Sequence, residues 1–377
     1  MPEARLIALG ETPFERHPQP ELTTRSLLAH AARLALDDAG LKPADVDGLG
    51  IASFSLVPDT AIDLASRLGL RCAWLMDSAN GGASALELLQ HARRAVEAGD
   101  ATTILLVAGD HLDRAAFCRL VAEYNVATRE HLASIPTGGP NAVFAMLTRR
   151  HMRAHGLGRD AYGRIAVAQR LWAAGNPHAS FRQPLTLTDY LRAPMIADPL
   201  GRYDCVPVVS GASAIVVSSK HSGPRDVVIR GLVARYGETT QPESGLRTGL
   251  ADAAASLWEQ AGVAASEIEV VSIYDDYPVM VLIQLEDLGF ASDGNIEAIV
   301  ERISDQTLPV NTGGGQLSAG QPGAAGGMLG LVEIVRQLSG DGGGRQVSGA
   351  RLGLVTGYGM VTYRFGACAN AAVLEAA

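Results

Sequence analysis

The feature that most restricts how this chain can fold is a repetition within it. "SLLAHAARLALDDAGLKPADVDGLGIASFS" from Ser26 and "GLADAAASLWEQAGVAASEIEVVSIYDDYP" from Gly249 share one pattern: an amphipathic helix closed by Ala-Gly, a short polar link, then an apolar strand. Setting Ala39-Gly40 on Ala261-Gly262 places Val46 on Ile268, Asp47 on Glu269 and Ile51 on Ile273. The correspondence continues downstream. "GGASALELLQHARRAVEAGD" from Gly81 precedes the strand-like "TTILLVAGD", and "GAAGGMLGLVEIVRQLSGD" from Gly323 precedes "RLGLVTGYG". Continuous apolar strands set between helices belong to a sheet covered on both faces. The chain therefore reads as a duplicated α/β protein with halves at 1–220 and 225–377.

Two details sharpen this reading. Gly in a helix interior costs about 1 kcal/mol relative to Ala, so "NGGASAL" and "GAAGGMLG" make poor exposed helices. Both are expected at the centre, where small residues let a backbone approach its neighbour closely. No GxxxxGK[ST] or strand-linked GxGxxG assigns them to phosphate binding. The second detail is an excursion from about 111 to 200, more polar and rich in His, with helical pieces such as "GRDAYGRIAVAQRLWAAGNP". Its Trp, Leu and Ile content marks an inserted layer over a site rather than a linker. The chain re-enters the core at "CVPVVSGASAIVVSS".

Charge and cysteine usage exclude several classes. Net charge is −9 and no Lys/Arg block exceeds a pair, which argues against nucleic acid or an anionic membrane as partner. Cys72, Cys118, Cys205 and Cys368 are widely spaced without any CxxC, as in reduced thiols. "MPEARLIALGETPF" carries no signal-peptide pattern, so the expected location is cytoplasmic. His131, His151, His155 and His178 lie in the insertion; HExxH is absent and no metal is assigned.

"LMDSANGGASALELLQHARRAVEAG", from Leu75, is a strand, a turn and a helix whose N-terminus suits an anion or a nucleophile, yet it holds no Cys. With "CVPVVSGASAIVV", "YDDYPVMVLIQLEDLGF", "LPVNTGGGQLSAGQPGAAGG" and "GLVTGYG", in this order over nearly the whole chain, it resembles the thiolase superfamily. Within it, the resemblance is to sterol-carrier-protein-type thiolases and lipid-transfer-protein-like homologues. This implies a duplicated five-layered αβαβα fold, a loop domain over the active site, a homodimer, and coenzyme A thioesters as substrates, with no covalently bound cofactor.

Transferring the family's motifs residue by residue shows departures. The nucleophilic Cys position falls at Ala79, flanked by Ser78 and Asn80. Tyr274 of "YDDY" replaces a His or Asn, Gln321 of "AGQPG" replaces the His that activates the nucleophile, and Tyr358 of "GYG" replaces the acid/base Cys. Gln donates hydrogen bonds but takes no proton at neutral pH. Loss of Cys and His together removes the acyl-enzyme route. Tyr274, Tyr358, Asp275, Asp276 and Gln321 remain as acid/base and donor candidates, with Tyr363 a third tyrosine; Tyr358 ranks above Tyr274. Asp275 and Asp276 are adjacent, so only one of them readily points inward. Ser78, Ala79, Asn80, Asn311, Gly314 and Gly359 are the expected substrate-lining positions.

The resulting chemistry resembles that of thiolase-like aldolases of steroid side-chain breakdown, which split β-hydroxyacyl-CoA thioesters by a retro-aldol step. Those enzymes work with a small zinc-ribbon/OB-fold partner protein, so a hetero-oligomer is expected. A second reading is acyl transfer from a relocated nucleophile at Ser78, Cys72 or Cys118, the last read as sitting on an apolar helical face. A third is a non-catalytic acyl-CoA-binding subunit.

Overall fold

The computed structural model describes residues 2–123, 130, 134, 139–220, 223–237, 245–291, 294–362 and 365–377. The N-terminal half begins with β1 (Arg5–Glu11), α1 (Thr24–Ala39), β2 (Gly48–Ala52), α2 (Thr60–Leu68) and β3 (Trp74–Ser78). It continues with α3 (Ser84–Ala98) and β4 (Thr103–Asp110), and after the insertion ends with β7 (Gly211–Ser218). The C-terminal half is β8 (Val227–Tyr236), α8 (Leu250–Ala261), β9 (Val270–Ser272), α9 (Pro278–Asp287), α10 (Ile296–Ser304), α11 (Gly315–Ala319), α12 (Gly326–Leu338), β10 (Leu352–Thr362) and β11 (Phe365–Ala376).

The repeat is visible element by element. α1 and α8 both end on a left-handed glycine, Gly40 at φ 65° and Gly262 at φ 68°. Each is followed by a single 3₁₀ turn, Pro43–Asp45 or Ala265–Glu267, and then by a parallel-paired strand. Strand order is β3-β2-β4-β7-β1 in one half and β9-β10-β11-β8 in the other. Among the described strands, the two sheets join where β1 meets β8, at Arg5↔Val228 and Leu6↔Val227.

Side-chain alternation sorts the core into layers. On β4, Leu105 and Val107 pack with α1 and α2, whereas Ile104, Leu106 and Ala108 pack with α3 and α12. On β10, Val355 faces this same central helix pair, whereas Leu354 and Tyr358 join α8, α9 and α10 on the outside. The order is helix, sheet, helix, sheet, helix, as expected for the five-layered αβαβα fold. The two Gly-rich helices form the central layer, and a Cβ on Gly327 would stand 2.1 Å from the Gly82 carbonyl oxygen. Only glycine permits that approach.

The insertion leaves after β4 and returns at β7. It comprises α4 (Arg114–Glu123), α5 (Pro140–His155), α6 (Arg159–Ala173), α7 (Leu187–Arg192) and a short hairpin of β5 (Met195–Ala197) and β6 (Leu200–Gly201). Phe144, Ala145, Tyr162 and Ile165 from α5 and α6 share a core with α9 and α10. This covering explains α9, whose residues 278–285 are all buried. No described helix is long and apolar enough to cross a membrane.

Candidate active site

The turn at residues 79–83 connects β3 to α3. Ala79 at its start is exposed. Ser78 donates from Oγ to the Glu87 carboxylate, and Asn80 donates from Nδ2 to both Glu87 oxygens at 2.9 and 2.8 Å. Both polar neighbours of Ala79 are therefore folded back onto the first turn of α3, and neither hydroxyl nor amide meets an imidazole. Glu87 was not among the expected residues; an acid in a helix's first turn, behind two short polar residues, is the signal that marks it. The end of the turn is held from the other half, where Asn370 of β11 donates Nδ2 to the Ala83 carbonyl at 2.8 Å.

Tyr274 is the aromatic residue that reaches this turn. A Cβ added to Gly82 would lie 2.0 Å from its ring and 2.5 Å from its hydroxyl oxygen. Its backbone is fixed on both sides, the N–H donating to Thr356 Oγ1 at 3.0 Å and the carbonyl accepting from Gln284 Nε2 at 2.8 Å. Gly359 approaches the same turn, with its Cα hydrogen side toward the Asn80 carbonyl.

Tyr358 lies elsewhere. Gly357 and Gly359 face the 80–83 turn, so the residue between them points to the opposite side of β10. There its ring packs against Gly366, whose N–H bonds the phenol oxygen. Burial, with Asp276 and Asp287 nearby, pushes the phenol well above its ordinary value. At neutral pH it is a proton donor, not a ready-made base. Tyr358, ranked above Tyr274 from the sequence, thus lies across β10 from the turn that Tyr274 reaches.

The paired acids also divide. Asp275 accepts from the N–H groups of Gln316 at 2.8 Å and Leu317 at 3.3 Å, so it anchors the start of α11. Burial pushes its carboxyl up to about 7 against those bonds. Asp276 is the acid beside Tyr358 and Tyr277, raising both phenols. Burial and Asp275 push it up to about 8, and its Oδ1 is shielded without a hydrogen-bond partner. Of the two adjacent acids, Asp275 lines a cavity with Tyr274 while Asp276 adjoins the phenols of Tyr358 and Tyr277.

The remaining expected residues serve the loops. Gln321 closes its amide on Gly323, donating to the carbonyl at 3.1 Å and accepting from the N–H at 2.9 Å, which leaves one of its two amide hydrogens for a ligand. Asp110 ties this loop to the other half: it accepts from Ala324 N–H at 2.8 Å and from Ser53, Phe54 and Ser55. Asn311, at φ 53°, accepts from Ile273 N–H at 2.8 Å and braces β9. Gly314 faces Ala173 of α6, so it admits the insertion and does not line the turn. Cys118 is exposed on α4 and not on an apolar face, while burial raises the thiols of Cys72, Cys205 (to about 12) and Cys368 (to about 11). Tyr363 and His131 lie outside the described residues.

A family model described as "Thiolase C-terminal domain-like" matches residues 233–369. A 17-hydroxy-3-oxo-4-pregnene-20-carboxyl-CoA lyase of Mycobacterium tuberculosis is 32% identical, over 90% of this chain and 92% of its own. A steroid side-chain-cleaving aldolase of Thermomonospora curvata is 31% identical, over 90% and 91%. The solved "Ltp2-ChsH2(DUF35) aldolase" superposes with a TM-score of 0.85 at 26% identity, covering 100% of this chain and 98% of that one.

Proposed function

This chain belongs to the thiolase superfamily, and from that premise we propose that it splits a β-hydroxyacyl-CoA thioester of steroid or lipid side-chain type by a noncovalent retro-aldol step. The observation that carries the reading is the 79–83 turn: Ala79 stands where a nucleophile would, and Tyr274 crosses Gly82 in its place. Tyr274 is followed in the chain by Asp275 and Asp276, whose carboxyls are raised to about 7 and 8, suited to exchanging protons near neutral pH.

In this mechanism Tyr274, the phenol at the turn, takes the β-hydroxyl proton as it passes its own through solvent to the Asp276 carboxylate. The β carbon becomes a carbonyl and the bond to the α carbon breaks. Its electron pair passes into the thioester enolate, held by the N-terminal end of α3 and the free amide hydrogen of Gln321. Tyr274 protonates the α carbon and regains its proton from Asp276 through solvent. A ketone or aldehyde and a shortened acyl-CoA leave, and no acyl-enzyme forms.

The arginines of α5 support coenzyme A recognition. Arg149, Arg150 and Arg153 line an open groove with Asp198, on the helix face opposite Phe144 and His151. An acyl-CoA carries phosphates that such a groove complements. A homodimer is supported by β3, an edge strand that among the described residues pairs with β2 alone and exposes Leu75. The complex named in the superposed aldolase supports a small zinc-ribbon/OB-fold partner, and the cytoplasm is the compartment proposed for both.

Intact-protein mass spectrometry with a panel of acyl-CoAs, including branched β-hydroxyacyl-CoAs, tests this reading. Release of a shortened acyl-CoA from unmodified protein is expected. An acyl adduct on Ser78 or a cysteine overturns it in favour of acyl transfer, and tight binding without turnover overturns it in favour of a non-catalytic subunit.

A further inference from the structure

α5 carries a second set of residues that the proposed chemistry does not use. His151 and His155 are one helical turn apart and project toward α9, where Glu286 stands in the last turn. One donor atom from each of the three lies within 4.8 Å of the others. His155 Nε2 is 3.8 Å from Glu286 Oε2, and the two imidazole rings are 4.4 Å apart between centroids. Sequence inspection for HExxH passes over this set, because the third residue comes from 131 positions away in the chain.

The arrangement of His151 is informative. It is fully buried, its Nδ1 is bonded to the Tyr162 hydroxyl at 2.8 Å, and its Nε2 is shielded without any hydrogen-bond partner. A buried imidazole nitrogen is ordinarily satisfied. An imidazole that gives one nitrogen to an orienting neighbour and keeps the other bare is set up as metal-binding histidines are.

We propose that His151, His155 and Glu286 form a site for a divalent transition-metal ion, zinc foremost, that clamps the inserted layer to α9. Two imidazoles and one carboxylate with water in the fourth position match zinc's preferred donors. Tetrahedral coordination brings donors to about 3.3 Å apart, which asks only small side-chain rotations of His155 and Glu286. Both are partly exposed, at 18% and 31% of the side chain, so an ion has a way in. The clamp would act on α9, whose N-cap Tyr277 α5 already holds by Phe144 stacking at 4.2 Å and by its hydroxyl donating to Asn141 at 2.7 Å.

The test uses the full chain without its partner, stripped with chelator and titrated with zinc chloride against a competing chelator. One zinc per chain is expected, together with a rise in Tm. His155→Ala and Glu286→Gln, at partly exposed positions, should each weaken zinc binding about 100-fold and abolish the Tm rise while the zinc-free Tm holds. Tyr162→Phe should weaken binding about 10-fold through the orientation of His151. Equal zinc affinity in wild type and His155→Ala, binding lost on thiol alkylation instead, or no uptake by the wild type would each overturn the site. None of these readouts depends on the aldolase reading.

Discussion

The two halves of the molecule start from one plan and end with unequal tasks. In the N-terminal half, β3 runs into α3 through the five residues 79–83, and Asn80 there, with Ser78 just before it, bonds to Glu87. In the C-terminal half, the segment after Val310, which bridges β9 as β3 pairs with β2, reaches α12 only through α11 and the Gln321 loop. The outer helices differ likewise: α2 leaves Ile62 in solvent, whereas α9 is buried under the insertion. Repetition supplied a scaffold, and the titratable groups Tyr274, Asp276 and Tyr358 then gathered in the half that the insertion shields from water. Shielding raises the acids, which solvent would hold near 4.

The largest effect should come from Tyr274→Phe, which is expected to lower retro-aldol turnover about 10²- to 10⁴-fold with acyl-CoA affinity retained. Steady-state kinetics beside a binding titration checks this; full turnover would move the chemistry away from the C-terminal half. Asp276→Asn should cost a similar factor. It also carries a pH signature, because its folded carboxyl is pushed up to about 8 from 3.8. The folded state then binds more protons between those values, so stability falls as pH rises from about 4 to 8. Denaturant unfolding across that range should show a shallower fall in Asp276→Asn, while wild-type kcat/KM should rise toward pH 8.

The junction between the halves is tested by Gly82→Ala and Asp110→Asn. The first forces a methyl into the Tyr274 ring and should cost about 1–3 kcal/mol; the second leaves a buried N–H donor facing an amide and should cost about 1–3 kcal/mol. Urea midpoints measure both. The smallest effect is expected from Ala79→Cys, which restores a thiol without a base and should give no acyl adduct by mass spectrometry. Adding Gln321→His to it should produce one, and adduct formation by Ala79→Cys alone would show that the N-terminal turn still activates a nucleophile unaided.

The duplication was legible because its punctuation is local: Ala-Gly helix ends and the 3₁₀ turns that follow are set by neighbours in sequence. The central place of the Gly-rich helices was legible for the same reason, since only burial excuses their cost. The facing of the site residues was less so. The glycines around Tyr358 already imply that it points away from whatever they approach, but that inference needs the partner of the glycines, the 80–83 turn of the other half. Alternation separates Asp275 from Asp276, yet which one is consumed depends on the N–H groups of Gln316 and Leu317, some 40 residues onward. Likewise α9 has no amphipathic stripe to read, because helices from more than a hundred residues earlier cover its outer side.

The contact of Gly82 with Gly327 also sets a schedule. α3 completes its inner face only when α12 arrives, roughly 240 residues later. At ordinary synthesis speeds that is about 10–50 s, during which the apolar face of α3 has no native partner. The nascent N-terminal half must spend that interval as an unfinished layer, dependent on whatever the cell supplies to shelter it.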